Sequence, residues 1–141
     1  MGLDNGFYVR SNHRKLTRDM LPQGLEYPFD DDSDLEVIYH RKDWGWRDSI
    51  MAKFNWKDPN FYDDTEDVDT SYLIETPAQV MALIELTASW LDEEKWENEG
   101  RSIWEYEVAR PHLVHDIITL ALLYGFMQQN PDVFLEFYDS Y

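Results

Sequence analysis

The densest cluster of chemically capable side chains lies in one ten-residue segment, YHRKDWGWRD, at positions 39 to 48. It combines three cations with three aromatic rings: Arg41, Lys42, Arg47, Tyr39, Trp44 and Trp46. A guanidinium group binds a phosphate or carboxylate through paired hydrogen bonds, and an aromatic ring can stack on a base. The segment is therefore a candidate pocket for a small anion or nucleotide, assisted by a helix N-terminus near Trp44.

The same cations also have a structural interpretation, and the sequence favours it. Arg41 ends a predicted strand and Arg47 lies in the apolar stripe of a predicted helix, so both guanidinium groups border buried surface, where a cation needs a carboxylate partner. Asp43 precedes Arg47 by four residues, the favourable orientation on a helix. Asp4 or Asp139 would meet Arg41 if both chain ends join the sheet. We therefore predict that Arg41 and Arg47 pair internally, with the anion pocket as the alternative.

Histidines offer a second chemistry. His112, His115 and Asp116 fall within one helical turn, a spacing that could bind zinc if Glu105 or Glu107 folded nearby. The ligand set is incomplete, and a solvated first helical turn explains the same residues. The chain has no cysteine, which excludes disulfides, thiolate metal sites and thiol nucleophiles. We therefore predict neither a metal nor a cofactor.

Charge is distributed unevenly along the 141 residues, whose formal net charge is -17. Residues 1 to 57 contain nine Lys or Arg against ten Asp or Glu, a balance of -1, whereas residues 58 to 141 contain three against nineteen, a balance of -16. Such an acidic half repels nucleic acid and attracts a basic partner. The candidate partner-binding face is an acidic run near position 95: Asp92, Glu93, Glu94, Glu97 and Glu99.

Local patterns predict where the elements lie. Alternating apolar residues indicate strands at GFYVRS (6–11), LEVIYHR (35–41), SYLIE (71–75) and DVFLEFYDSY (132–141). Helical patterns cover 44–55, 76–97, 103–109 and 113–127. The second helix starts with a capping box formed by Thr76 and Gln79. Pro111 is expected either to kink the third helix or to open a new one, because proline cannot donate an interior hydrogen bond.

These elements predict an α+β fold: a small, mostly antiparallel sheet with three to four helices packed on one face. The length fits a single domain spanning residues 1 to 141. The longest apolar run, residues 117–127, is about half of the roughly 20 residues that cross a bilayer, and the N-terminus lacks the apolar core of a secretory signal. We therefore expect a cytoplasmic protein without membrane contact.

Three segments together resemble a known group of sequences. The opening MGLDNG, the block Tyr-x-Arg-Lys-x-Trp-x-x-Arg at positions 39 to 47 and the terminal YDSY are similar to those of small uncharacterised bacterial and phage-type proteins. The resemblance spans both ends and the middle of the chain. It implies a cytoplasmic setting and an origin in a phage or mobile element, and it transfers no catalytic residue.

Two functional hypotheses follow. The first is a non-enzymatic interaction protein whose acidic second half, interleaved with Trp90, Trp96, Trp104 and Tyr106, binds a basic, nucleic-acid-handling protein. The second is a small-molecule or nucleotide-binding domain with an anion pocket centred on Arg41 and Arg47. We favour the first, and the sequence leaves the oligomeric state open.

Overall fold

The computed structural model describes residues 4–29, 35–41, 44–56 and 72–140. The elements, in chain order, are β1 (Asp4–Ser11), β2 (Glu36–Arg41), α1 (Trp44–Lys53), β3 (Leu73–Ile74), α2 (Pro77–Ser89), α3 (Glu93–Asn98), α4 (Ile103–Gln129) and β4 (Val133–Ser140). A 3-10 turn, Arg18–Met20, lies in the connection between β1 and β2. The predicted α+β class is confirmed.

The strands of the described residues form one antiparallel sheet in the order β2-β1-β4-β3. Strand β1 pairs with β4 along its whole length, from Asp4 opposite Ser140 to Ser11 opposite Val133. On its other side β1 pairs with β2, with an irregularity in the middle of the strand. Strands β1 and β4, the first and last of the described sheet, therefore lie side by side in its centre.

One face of the sheet carries the hydrophobic core. Alternate side chains of β1 and β4 are almost fully buried there: Phe7, Val9, Val133, Leu135 and Phe137. Helices α1, α2 and α4 contribute Ile50, Leu83, Leu120 and Leu123 to the same cluster. Full burial of one such side chain contributes about 1.5–3 kcal/mol. Packing of the helices on this face is therefore the main source of stability.

Helix α2 begins where the capping box predicts. The hydroxyl oxygen of Thr76 accepts a hydrogen bond from the backbone N–H of Gln79 at 3.2 Å, and the side chain of Gln79 accepts one from the N–H of Thr76 at 3.1 Å. Pro77 follows as the first helical residue, where its missing N–H costs nothing. The predicted start of this helix is confirmed.

The prediction that this helix continues to about Glu97 is wrong. Helix α2 ends at Ser89, and α3 is a separate short helix. The indole N–H of Trp96 donates to the backbone carbonyl of Trp90 at 2.7 Å, which fastens α3 against the end of α2. Asp92 caps α3 by accepting a hydrogen bond from a backbone N–H at 3.1 Å. The chain therefore turns at this point instead of continuing straight.

Helix α4 runs without interruption through Pro111, so the alternative in which this proline opens a new helix is wrong. Pro111 and Glu107 are both exposed, so the carbonyl four residues before the proline can bond to water instead. Ser102 caps the start of the helix by accepting from the N–H of Glu105 at 3.2 Å. Despite its length, neither α4 nor any other helix in the described ranges is apolar enough to cross a membrane.

Candidate functional site

Described residues from β1, β2, α1 and β4 meet at one end of the sheet. Asn5, at the start of β1, lies opposite His40 near the end of β2 and opposite Asp139 near the end of β4. Helix α1 follows β2 and brings Trp46 and Arg47 to the same end. Strand register thus assembles residues from both ends and from the middle of the chain.

Arg47 is buried, and its charge is neutralised within the protein. Its Nε donates to Oδ2 of Asp139 at 2.7 Å, and its Nη1 donates to Oδ1 of Asp48 at 3.0 Å. The side chains of Arg47 and Asp139 are only 4% and 6% exposed. Internal pairing of Arg47 is confirmed, whereas Asp43, the partner proposed for it, lies outside the described residues.

Arg41 is exposed at the end of β2. The predicted pairing of Arg41 with Asp4 or Asp139 is not formed: Asp4 accepts from the hydroxyl of Tyr39 at 2.8 Å, and Asp139 accepts from Arg47 at 2.7 Å. Lys42 lies outside the described residues, as does the side chain of Trp44. Neither of the two carboxylates that were expected to neutralise Arg41 is therefore bonded to it.

Two tyrosines of the sheet form hydrogen bonds with carboxylates. The bond to Asp4, followed by burial, raises the pKa of Tyr39 above its usual value. The hydroxyl of Tyr138 donates to Glu36, and burial together with this bond raises the pKa of Tyr138 far above its usual value. Both hydroxyls therefore stay protonated and act as donors at neutral pH.

His40 and Asp116 form a buried pair that joins β2 to α4. The distance from Nε2 of His40 to Oδ2 of Asp116 is 2.6 Å, and the two side chains are 10% and 8% exposed. The imidazole ring also stacks on Trp46, with 3.9 Å between ring centroids and 12° between planes. Because 76 residues separate the partners, nothing in the local sequence pattern signals this contact.

A cleft of about 420 Å³ opens beside the His40–Asp116 pair. It lies between β2, the segment around Tyr27, the end of α2, α3 and the first half of α4. Aromatic and cationic side chains contribute much of its lining: Tyr27, Tyr39, Trp46, Trp90, Trp96, Arg41 and Arg101. Of the anion-pocket residues predicted from the sequence, Arg41, Tyr39 and Trp46 line the cleft, whereas Arg47 does not.

Sequence reasoning missed Arg101, Trp90 and Trp96 as parts of this cleft. They reach it because α3 folds back against the end of α2, a turn that the helical pattern of residues 76–97 did not predict. The rings of Trp90 and Trp96 meet edge to face, with centroids 5.7 Å apart. The local signal that would have revealed the turn is Asp92, which is a preferred residue type at a helix N-cap.

Asn5 is another residue that sequence reasoning missed. Its side chain is fully buried, and neither its amide oxygen nor its amide nitrogen has a hydrogen-bond partner among the described residues. An unsatisfied buried polar group costs about 1–3 kcal/mol. Proteins tolerate such costs mostly at functional sites, and Asn5 lies directly beside His40 in the register of the sheet.

Comparison with known proteins gives no match. The chain matches no model of a protein family, no curated protein and no solved structure. The resemblance carried by MGLDNG, the block at positions 39 to 47 and YDSY therefore stays a prediction.

The histidines considered as zinc ligands have other roles. Asp116 is bonded to His40, and Nε2 of His115 lies 3.0 Å from Oε2 of Glu26. His112 lines the cleft. In the part of the chain that the structure describes, no three His, Asp or Glu side chains are grouped as metal ligands.

We expect purified protein to contain no stoichiometric zinc, since Asp116 is already engaged by His40. A chelator should leave the melting temperature unchanged, because a structural metal would contribute folding free energy that the chelator removes. Elemental analysis and a melting curve with and without chelator measure both quantities. About one zinc ion per chain would contradict the prediction.

The acidic residues near position 95 all lie on the surface of α3 or beside it. The exposed set comprises Asp92, Glu93, Glu94, Glu97 and Glu99. Trp96 lies in a small buried cluster with Trp90 and Leu113, so the prediction that Trp90 and Trp96 belong to the partner-binding face is wrong. The structure thus places all five carboxylates at the surface, although Asp92 also serves as the cap of α3.

Helix α4 exposes an apolar stripe immediately after this acidic helix. The stripe consists of Ile103, Trp104, Val108, Val114 and Ile118. Trp104 and Val108 are four residues apart, as are Val114 and Ile118, so each pair shares a side of the helix, with exposed Glu107 and Pro111 between the two pairs. Trp104 is 69% exposed, far more than a core tryptophan. The exposure of Trp104 agrees with its predicted place in the interaction surface, whereas residues 113–127 were expected to be core, so the exposure of Val114 and Ile118 was not predicted.

Proposed function

We propose that this protein is a non-enzymatic interaction protein that binds a basic protein through α3 and the exposed side of α4. One observation carries the proposal: the apolar stripe of α4 directly follows the exposed carboxylates of α3. A group of large exposed apolar side chains flanked by charged residues is typical of protein interfaces. Exposure of the apolar surface of Trp104 and Ile103 to water is unfavourable, and a partner that covered them would remove this cost.

The charge of the chain specifies the chemistry of the partner. The second half carries a surplus of 16 negative charges, which attracts a cationic surface at long range and increases the rate of association. The apolar stripe then requires an apolar centre within that cationic surface. A nucleic-acid-handling protein offers such a basic surface, and an acidic helix could occupy the place of a phosphate backbone there.

The first test compares two double charge reversals with the same change in net charge. Glu97→Lys/Glu99→Lys alters the proposed surface, and Glu75→Lys/Glu85→Lys alters exposed residues elsewhere. In a pull-down from host lysate at low salt, we expect the parent and the control to recover one or a few basic proteins, identified by mass spectrometry. The Glu97/Glu99 variant should recover almost none, and duplex DNA should displace the captured proteins.

Two results would argue against the proposal. Equal loss of capture by both double variants would mean that only net charge matters. Unchanged capture by Trp104→Ala would mean that the apolar stripe has no part in binding. Met81→Ala, which truncates a partly exposed apolar residue on α2, is the matched control for Trp104→Ala.

A further inference from the structure

We propose that the cleft beside His40 and Asp116 binds a small ligand with a flat aromatic body and one anionic group, either a carboxylate or a phosphate. This site is separate from the surface proposed above for a protein partner, because its residues face the interior side of α3 and α4. Three features of the cleft support the proposal: two guanidinium groups without a carboxylate partner among the described residues, the placement of Arg101, and the aromatic lining together with the volume.

The first feature is the balance of charge inside the cleft. Its two carboxylates already have partners: Asp116 bonds to His40 at 2.6 Å, and Glu26 bonds to His115 at 3.0 Å. No carboxylate lies within 4 Å of the guanidinium groups of Arg41 or Arg101 in the described ranges. The cleft therefore offers two guanidinium groups without an internal counter-charge, although the whole chain is strongly acidic.

The second feature is the placement of Arg101. Its guanidinium carbon lies 5.0 Å from the ring centroid of Trp96 and 6.0 Å from that of Trp90. Its Nη2 would be only 3.0 Å from a Cβ added to Gly45, so the absence of a side chain at Gly45 leaves space for it. A guanidinium held over aromatic rings keeps its edge N–H groups available for an anion, with less entropy to lose on binding.

The aromatic walls and the volume define the body of the ligand. Tyr27 and Tyr39 line the cleft and are partly exposed, whereas Trp46, Trp90 and Trp96 are only 4%, 8% and 6% exposed and contribute smaller parts of its wall. Aromatic surfaces favour flat apolar groups, which stack on them. A volume of about 420 Å³ lies within the usual range of small-molecule sites and is too small for a peptide strand or a nucleic-acid duplex.

Calorimetric titration with defined probes tests the proposal. The aromatic anions are adenosine 5′-monophosphate and indole-3-acetate, their neutral counterparts are adenosine and indole, and inorganic phosphate represents the anion alone. At about 0.15 M salt, where the acidic surface is screened beyond about 8 Å, we expect at least one aromatic anion to bind with a dissociation constant of about 100 µM or tighter. Its neutral counterpart should bind at least about tenfold more weakly.

Variants locate the binding. Arg101→Gln and Arg41→Gln should each weaken binding of that probe by about tenfold or more, because each removes charge-assisted hydrogen bonds. Arg110→Gln removes an exposed arginine of α4 that does not line the cleft, and it should leave the affinity unchanged. Arg41 is exposed, so its variant should fold as the parent does, and a melting curve checks this for all three variants.

Three outcomes would decide against the proposal. If neither aromatic anion binds at 1 mM or below, the cleft is not a site of this class. Equal affinity for inorganic phosphate and for the aromatic anions would mean that the cleft holds an adventitious ion only. Binding that survives both Arg101→Gln and Arg41→Gln would lie elsewhere on the protein. Preference for the phosphate or the carboxylate probe separates the two sources of the anionic group, and either preference supports the proposal.

Discussion

We expect the substitution Arg47→Ala to lower the free energy of unfolding by about 3–5 kcal/mol. Arg47 and Asp139 form a pair at 2.7 Å whose side chains are almost fully buried. Removal of the guanidinium leaves the carboxylate of Asp139 buried without this counter-charge, and it removes the packing of a long side chain between α1 and β4. Urea denaturation followed by tryptophan fluorescence measures the change.

Arg14→Ala is the control for this prediction. Arg14 also bonds to an aspartate at 2.8 Å, but the side chains of Arg14 and Asp132 are 42% and 21% exposed. Surface pairs of this kind contribute about 1 kcal/mol or less. A loss for Arg47→Ala no larger than that for Arg14→Ala would show that the buried pair is not needed. Arg47→Met/Asp139→Leu should recover part of the loss, since no buried charge remains.

The contacts of Arg47 explain which part of the site the sequence could predict. Pairing of Arg47 follows from a general rule, because a cation at the border of a core needs a carboxylate. The identity of the partner does not follow from that rule. Asp139 lies 92 residues away, and it reaches Arg47 only because β4 pairs with β1 in the centre of the sheet. A partner so distant in sequence leaves no trace in the local pattern.

Elements with strong local signals were predictable. Apolar and polar residues alternate with a period of two in β1, β2 and β4. The capping box of α2 consists of hydrogen bonds between Thr76 and Gln79, three residues apart. Both signals therefore depend only on residues that are close in sequence. The turn between α2 and α3 depends instead on a contact between Trp96 and the carbonyl of Trp90. Charged residues continue the helical pattern across the turn, which is why the sequence predicted one long helix.

The local sequence pattern also could not predict which residues of α4 are exposed. Its second half is apolar on almost every side, which is typical of a core helix. Only the position of the sheet decides that Leu120 and Leu123 are covered while Val114 and Ile118 stay at the surface. The interaction surface proposed here is therefore a consequence of tertiary packing.

The two proposed binding functions use different sides of α3 and α4, so their failures can be told apart. Trp96 and Arg101 face the cleft, whereas Glu97 and Glu99 face solvent. Substitution of Arg101 should change affinity for the small aromatic anion and leave capture of a basic protein intact. Reversal of Glu97 and Glu99 should have the opposite effect.

A second large effect is expected for Gly6→Ala, which should lower the free energy of unfolding by about 3 kcal/mol or more. A Cβ at this position would lie 2.1 Å from the backbone oxygen of Ile38 and 3.0 Å from both Glu36 and the ring of Tyr138. The first of these atoms belongs to the neighbouring strand β2 and cannot rotate away. The methyl group would therefore force β1 and β2 apart beside the segment that carries His40.

Gly125→Ala is the matched control, since it adds the same methyl group to a glycine with nothing within 4 Å of the new atom. Gly125 lies inside α4, where alanine is favoured over glycine by about 0.5–1 kcal/mol, so this variant should be slightly more stable than the parent. The two substitutions thus shift stability in opposite directions, and urea denaturation of both measures the difference. Loss of a cooperative transition in Gly6→Ala would agree with the prediction, whereas stability equal to that of the parent would mean that β1 and β2 do not approach so closely at this end of the sheet.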